Sequence, residues 1–283
     1  MLGNFEYKKV RSVEEGSRCL VDAGGSGAIL AGGTDLLVEI RNSIKSPSLL
    51  VDCKGIEALR AFEHSPIETN IGASVPLNQL IEHKSFRETF PALTDALLSI
   101  GTYQLRSRAT VAGNICNASP AADSAPVLLV RGAVVEATGA NGVRSIPIQE
   151  FFTGVKKTSL QLGEIVTSVR LPAESGLRTA FLKQQRVRGH DLAVANIAGA
   201  YTPESNTLRM AIGSCAPTPV LMEPIPVDSN DVGAFSAHVA GLVMKAVSPI
   251  SDVRASAAYR NAVLPTLARR IVYAVLDGQG GGN

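Results

Sequence analysis

Leu30-Ala31-Gly32-Gly33-Thr34-Asp35-Leu36 is the stretch on which the fold of the first part of the chain turns. Ala28-Ile29-Leu30-Ala31 ahead of it is a short apolar run that reads as a buried strand, and Leu36 to Arg41 reads as a helix start. Thr34 or Asp35 is available to cap that helix. Ser48-Leu49-Leu50-Val51-Asp52 is a second buried strand, so strand, loop, helix and strand predict a small βαβ unit. Upstream, Val13, Cys19 and Leu20 carry helical spacing until Gly24-Gly25-Ser26-Gly27 breaks it. A glycine loop entering a helix suits a phosphate, because no Cβ screens the backbone N–H groups and the helix dipole favours an anion. The same residues also read as an ordinary tight turn. They match neither GxGxxG nor GxxxxGK[ST], which argues against nicotinamide-type and P-loop binding.

Downstream, Thr69 to Val75 is strand-like, and Pro76 stands where a helix N1 proline would. Leu77, Leu80, Ile81, Leu93, Leu97 and Ile100 continue helical faces that stop at Gly101. Gln104 to Pro120 is polar, small and glycine-containing, and is expected as an extended loop longer than a simple connector. Ala122 to Val130 reads as a helix that Asp123 would favour at its N-terminus. Ala133–Ala137 and Val143–Ile146 form a hairpin around Gly139-Ala140-Asn141-Gly142, and Glu164 to Leu171 alternates like a strand ending at Pro172. The pattern then changes. Thr179–Gln184, Ala193–Tyr201 and Leu208–Ser214 read as antiparallel strands, and Phe235–Val247 and Ser256–Leu276 as helices. Pro265 predicts a kink or late start in the last helix, and Gly278 to Asn283 a frayed tail.

Of 283 residues, 45% are apolar and 18% charged, enough for buried cores. Lys and Arg total 27 against 25 Asp and Glu, with no basic stripe, and aromatics are 5%, so nucleic acid is not an expected partner. The first residues lack the apolar core of a signal peptide, and no apolar run approaches a membrane span. Cys19, Cys53, Cys116 and Cys215 are far apart, with no CxxC pair. No metal site is expected from that spacing, and the thiols read as reduced ones in a cytoplasmic protein.

A second small-residue segment, Thr110-Val111-Ala112-Gly113-Asn114-Ile115-Cys116-Asn117-Ala118-Ser119-Pro120-Ala121-Ala122-Asp123, adds hydroxyls, amides and one carboxylate. Two such loops on one scaffold suit a long ligand with a central pyrophosphate. At this point the sequence resembles a known family. AGGTD, QLRSRATVAGNICNASPAADSAP and SDVRASAAYRNAVLPTLARR look like the FAD-binding subunit of the xanthine dehydrogenase and carbon monoxide dehydrogenase family, in the family's order and over essentially the whole chain.

The resemblance implies an α+β protein with an FAD-binding fold of the vanillyl-alcohol-oxidase type. Its parts would be an N-terminal α/β portion in two pieces, 1–55 and 56–172, and a C-terminal antiparallel sheet with helices, 173–283. By motif position, Leu30, Ala31, Gly32, Gly33, Thr34 and Asp35 would flank the pyrophosphate from one side, and Thr110, Ala112, Gly113 and Asn114 from the other. Asp123 would bind the ribityl or flavin side, Ile100 would line the pocket, and Val166 and Lys183 would lie near the isoalloxazine. Ala112 replaces the family's glycine, which puts the local backbone angle in question. A Lys183 ammonium beside the flavin would raise its potential; the alternative is a solvated strand lysine. Arg186, Arg188, His190 and Asp191 form a polar cluster that could serve as a catalytic site but, with no nucleophile or second histidine near in sequence, reads rather as a surface or subunit-contact loop; His64, His83 and His238 read as isolated. Ser256, Tyr259 and Arg260 match a family signature in a helix whose role looks like packing. No residue of this chain is expected to be catalytic. The implied role is electron transfer from the [2Fe–2S] clusters of a small subunit, beside a large molybdopterin subunit, to a soluble acceptor such as NAD or to a quinone. The alternatives are a self-contained flavin oxidoreductase and a non-redox scaffold subunit that has lost FAD.

Overall fold

The computed structural model describes residues 4–187 and 189–277, so Arg188 and the expected tail Gly278–Asn283 lie outside the described residues. The chain begins with β1 (Glu6–Lys9), α1 (Val13–Asp22), β2 (Gly27–Leu30), α2 (Leu36–Arg41) and β3 (Leu49–Asp52). These strands form a parallel sheet in the order β1-β3-β2, and the expected βαβ unit is β2-α2-β3. Ser12 caps α1 by accepting from the Glu15 N–H at 3.1 Å. Strand β1 is absent from the sequence expectation for a clear reason. All four of its side chains are exposed, so it joins β3 through its backbone and shows no apolar signal.

A 3₁₀ turn (Glu57–Arg60) leads into β4 (Phe62–His64) and β5 (Glu68–Gly72). The helices α3 (Leu77–Glu82), α4 (Lys84–Thr89), α5 (Pro91–Leu98), α6 (Tyr103–Arg106), α7 (Val111–Cys116) and α8 (Ser124–Val130) follow. Then come β6 (Val134–Gly139), β7 (Gly142–Pro147), α9 (Ile148–Phe151), the small hairpin β8 (Phe152–Gly154) and β9 (Lys157–Thr158), and β10 (Ile165–Pro172). The main sheet here is antiparallel, in the order β4-β5-β10-β6-β7. Two expectations are corrected. Pro76 is the N-cap residue of α3, in extended conformation, rather than its first helical residue. The stretch Gln104–Pro120 is not an extended loop but largely two short helices. Thr102 and Thr110 cap them, accepting from the Leu105 N–H at 3.1 Å and the Gly113 N–H at 2.9 Å. Helices this short contain too few turns for an apolar period to register.

The last part holds β11 (Arg178–Gln184), β12 (Ala195–Thr202), β13 (Thr207–Gly213), the short β14 (Val220–Leu221) and β15 (Ile225–Pro226), then α10 (Val232–Ala246) and α11 (Ala257–Leu276). Ser256 caps α11, which runs through Pro265, so the late start does not occur. Side chains alternate across an antiparallel sheet, and here both faces are used. Ala180, Ile197, Leu208, Met210 and Ile212 face α10 and α11. Phe181, Ala198, Ala200 and Ala211 face the other way, into the core shared with α5 and α8. Small residues on that second face let the two helices approach closely. Lys183 and Asn196, directly opposite each other in the register, belong to it as well.

Candidate cofactor site

Between these parts lies a cleft of about 800 Å³, within the range of about 300–1,000 Å³ typical of ligand and cofactor sites. The first glycine loop forms one wall. Gly33 has φ +76°, a left-handed conformation that disfavours any side chain. Gly32 has a different constraint: a Cβ there would lie 2.2 Å from the Arg108 carbonyl oxygen. Its hydrogen therefore lets the first loop press against the backbone just ahead of the second. Ala31, Gly32, Gly33, Thr34 and Asp35 all line the cleft, whereas Leu30 is buried beneath them, 9% exposed. Asp35 stands at the N-cap of α2 without capping it, because its carboxylate accepts from the Asn117 amide at 3.0 Å instead.

The second wall is the start of α7. Thr110 is buried, and its hydroxyl accepts from the Gly113 N–H, so Gly113 is a first-turn helical residue. Ala112 is helical and buried with no positive φ, so a methyl suits its backbone and the question over that position is answered. Asn114 accepts from the Ser124 hydroxyl at 2.6 Å, which ties α7 to α8. Thr110, Ala112, Gly113 and Asn114 line the same cleft as the first loop.

At the far end, Asp123 and Lys183 form an ion pair of 2.7 Å with side chains 7% and 6% exposed. The solvated-lysine alternative is thus overturned. Lys183 also donates to the Ser99 carbonyl at 3.0 Å, and Asn196 donates to the other Asp123 oxygen at 2.8 Å. Burial raises the Asp123 carboxyl above the usual carboxylate range, against the opposing pull of Lys183, Asn196 and Ser99. Asp123 stands at the N-cap of α8 but makes no side-chain capping bond there, its carboxylate being held by Lys183 and Asn196. Ile100 and Val166 line the cleft nearby, Val166 beside a register shift between β10 and β6.

Several residues escaped the sequence reading. His190, Asp191 and Leu192 line the cleft, so the segment taken as a surface loop forms part of its wall. Arg186 holds the Asp191 carboxyl well below the usual range through a 2.8 Å ion pair. Arg254 lines the cleft and is fixed by Asp252, which also binds the buried Arg260 at 2.7 Å. Lys156 and Asn117 sit at another corner. His64 and His83 are not isolated, since their rings lie 5.7 Å apart among Phe62, Phe86 and Phe90. Only the Arg–x₄–Asp spacing of Arg186 and Asp191 offered any local signal.

The family model for the FAD binding domain in molybdopterin dehydrogenase matches residues 3–174. The carbon monoxide dehydrogenase medium chain of Hydrogenophaga pseudoflava is 30% identical over 279 residues, 95% of this chain and 96% of that one. The xanthine dehydrogenase FAD-binding subunit of Escherichia coli is 30% identical over 266 residues, covering 89% and 90%. The glyceraldehyde dehydrogenase medium chain of Sulfolobus acidocaldarius is 28% identical over 274 residues, covering 94% and 96%. A chain in the solved structure of carbon monoxide dehydrogenase from Hydrogenophaga pseudoflava, lacking the Mo-pyranopterin moiety, matches with a TM-score of 0.90. That match has 27% identity over 98% of this chain and 99% of that chain. No helix among the described residues is long and apolar enough to cross a membrane.

Proposed function

The chain belongs to the family of FAD binding domains in molybdopterin dehydrogenases, and from that premise we propose that it relays electrons inside a larger hydroxylase. It is an FAD-binding subunit of a molybdopterin-dependent dehydrogenase, and its cofactor is FAD. The proposed partners are a large molybdopterin subunit and a small subunit with [2Fe–2S] clusters. The proposed acceptor is NAD, a quinone or another oxidant, and the proposed setting is the cytoplasm. We take the chain as three parts, 1–55, 56–172 and 173–283.

One observation carries the reading. The two glycine-containing loops line one cleft, Gly32 packing against the Arg108 carbonyl just ahead of the second loop, and that cleft ends at a buried ion pair. The residues fit FAD. Amides of Gly32, Gly33 and Thr34 would approach the pyrophosphate, and the first turn of α7 would offer N–H groups other than that of Gly113, which Thr110 holds. Asp123, Lys183, Ile100 and Val166 would enclose the flavin end, with Leu30 supporting the first loop from below. When bound, FAD supplies the ability to take electrons one at a time and release them singly or in pairs. The chain's own residues orient it, exclude water along the Ile100–Val166 wall and hold a paired cation beside it.

Purified chain should contain one non-covalent FAD, which acid precipitation releases into the supernatant. Colour retained in the pellet refutes this. Mixing with the partner subunits tests the relay: the flavin should be reduced by a hydroxylase substrate only when they are present. Reduction by an organic substrate with this chain alone would indicate a self-contained oxidoreductase, and absence of flavin a scaffold.

A further inference from the structure

At the tip of the β8–β9 hairpin, Lys156 has φ +58°, a left-handed conformation that is strained for most side chains and is normally given to Gly or Asn. The residue it touches shares the strain. The Lys156 N–H donates to the Ala118 carbonyl at 2.9 Å, and Ala118 has φ +43°. Strain of this kind persists where the surroundings use it. Here the use is visible in the side chain. The Lys156 ammonium donates to Asn117 at 2.7 Å and to Glu39 at 3.0 Å, linking the hairpin to the second loop and, across 117 positions of sequence, to α2. Burial pulls the Glu39 carboxyl up, but Lys45 and Lys156 outweigh it and hold the carboxyl below its usual range.

The ammonium has three hydrogens and two are engaged, and the side chain lines the cleft. Of the cleft's other cations, Lys183 is committed to Asp123 and Arg254 to Asp252, whereas Lys45 shares Glu39 with Lys156 and lacks the second anchor that Asn117 gives Lys156. Asp35 brings a second carboxylate to this corner, kept from Lys156 by the Asn117 amide between them. We propose that Lys156 is a cofactor-retaining residue, whose ammonium is fixed by Asn117 and Glu39 to donate its third hydrogen to the diphosphate–ribose portion of FAD. This rests on the reading of the cleft as the FAD site. It adds a cation to a binding surface whose two loops have none.

The test uses the full chain stripped of flavin and titrated with FAD, ADP or riboflavin over a range of salt concentrations. Lys156→Met keeps the stem and the backbone strain and removes the charge, whereas Lys156→Arg keeps both the charge and the strain. Lys156→Met should weaken FAD and ADP by about tenfold at low salt, with the gap closing as salt rises, and leave riboflavin unchanged. Lys156→Arg should recover most of the loss. Unchanged FAD and ADP affinity in Lys156→Met overturns the proposal. So does a loss that is equal at every salt concentration and is accompanied by a lower melting temperature in both variants, which would mark the hairpin as structural. Wild-type chain that takes up no FAD at any salt overturns the cofactor reading itself, and this proposal with it.

Discussion

Lys183→Met removes the ammonium 2.7 Å from Asp123 while keeping most of the stem. The surviving carboxylate is 7% exposed, with the Asn196 amide still donating to one oxygen. Burial already raises its proton affinity, and without Lys183 the folded chain will hold the proton to still higher pH. The sign follows. A carboxyl whose folded pKa lies above its unfolded value keeps a proton that the unfolded chain releases, so stability falls as pH rises between the two values. The penalty is bounded by about 1.4 kcal/mol per pH unit above an unfolded pKa of about 3.9. That is up to about 4 kcal/mol at pH 7 and about 1.5 kcal/mol at pH 5, in line with the ~3–5 kcal/mol found on breaking buried pairs. Urea unfolding of flavin-stripped wild type, Lys183→Met and Lys183→Met/Asp123→Asn at pH 5, 6, 7 and 8 measures it. The single variant's deficit should grow with pH, and the double variant's should not. A deficit that is equal at all four pH values would refute the reasoning, because it would mean lost packing rather than an unpaired carboxyl.

Gly32→Ala sets a methyl 2.2 Å from the Arg108 carbonyl oxygen, so the first loop must part from that backbone; stability should drop by about 1–3 kcal/mol and flavin content, read by absorbance, should fall with it. His64 has its pKa lowered first by burial and then by His83, so its contribution is complete above the unfolded value of about 6.5 and is lost as pH falls below it. The wild-type urea midpoint should therefore decline from pH 7 to pH 5.5 more steeply than that of His64→Gln.

Legibility in the sequence followed the range of the interactions. The β2–α2–β3 unit was readable from the glycine loop between its apolar runs, and β11 to β13 from apolar runs of seven or eight residues, buried on both faces, set off by polar turns. The edge strand β1 left no trace, since backbone pairing needs no apolar pattern. At the site, the loops were recognisable as motifs, but their internal structure was not. Thr110 looks like one more small polar residue until its hydroxyl is seen to close the first turn of α7. Asp123 and Lys183 were both singled out, yet nothing local pairs residues 60 positions apart. Asn196 and Lys156 act across 73 and 117 positions, and within their own segments they read as an ordinary strand and an ordinary turn.

The order β4-β5-β10-β6-β7 has a consequence for how the chain is made. The central strand of that sheet, Ile165–Pro172, is the last of the five to leave the ribosome, and it must insert between β5 and β6, which have no other bond to each other within the sheet. Until then two hairpins wait with open edges, each a template for wrong pairing. Loop closure over this distance is slow relative to local helix formation, so the nascent chain passes through an aggregation-exposed interval that ends only when about 60% of it has been synthesised. Fragments stopped before Ile165 should collect in inclusion bodies, whereas fragments that extend past Pro172 can close the sheet and shield both edges.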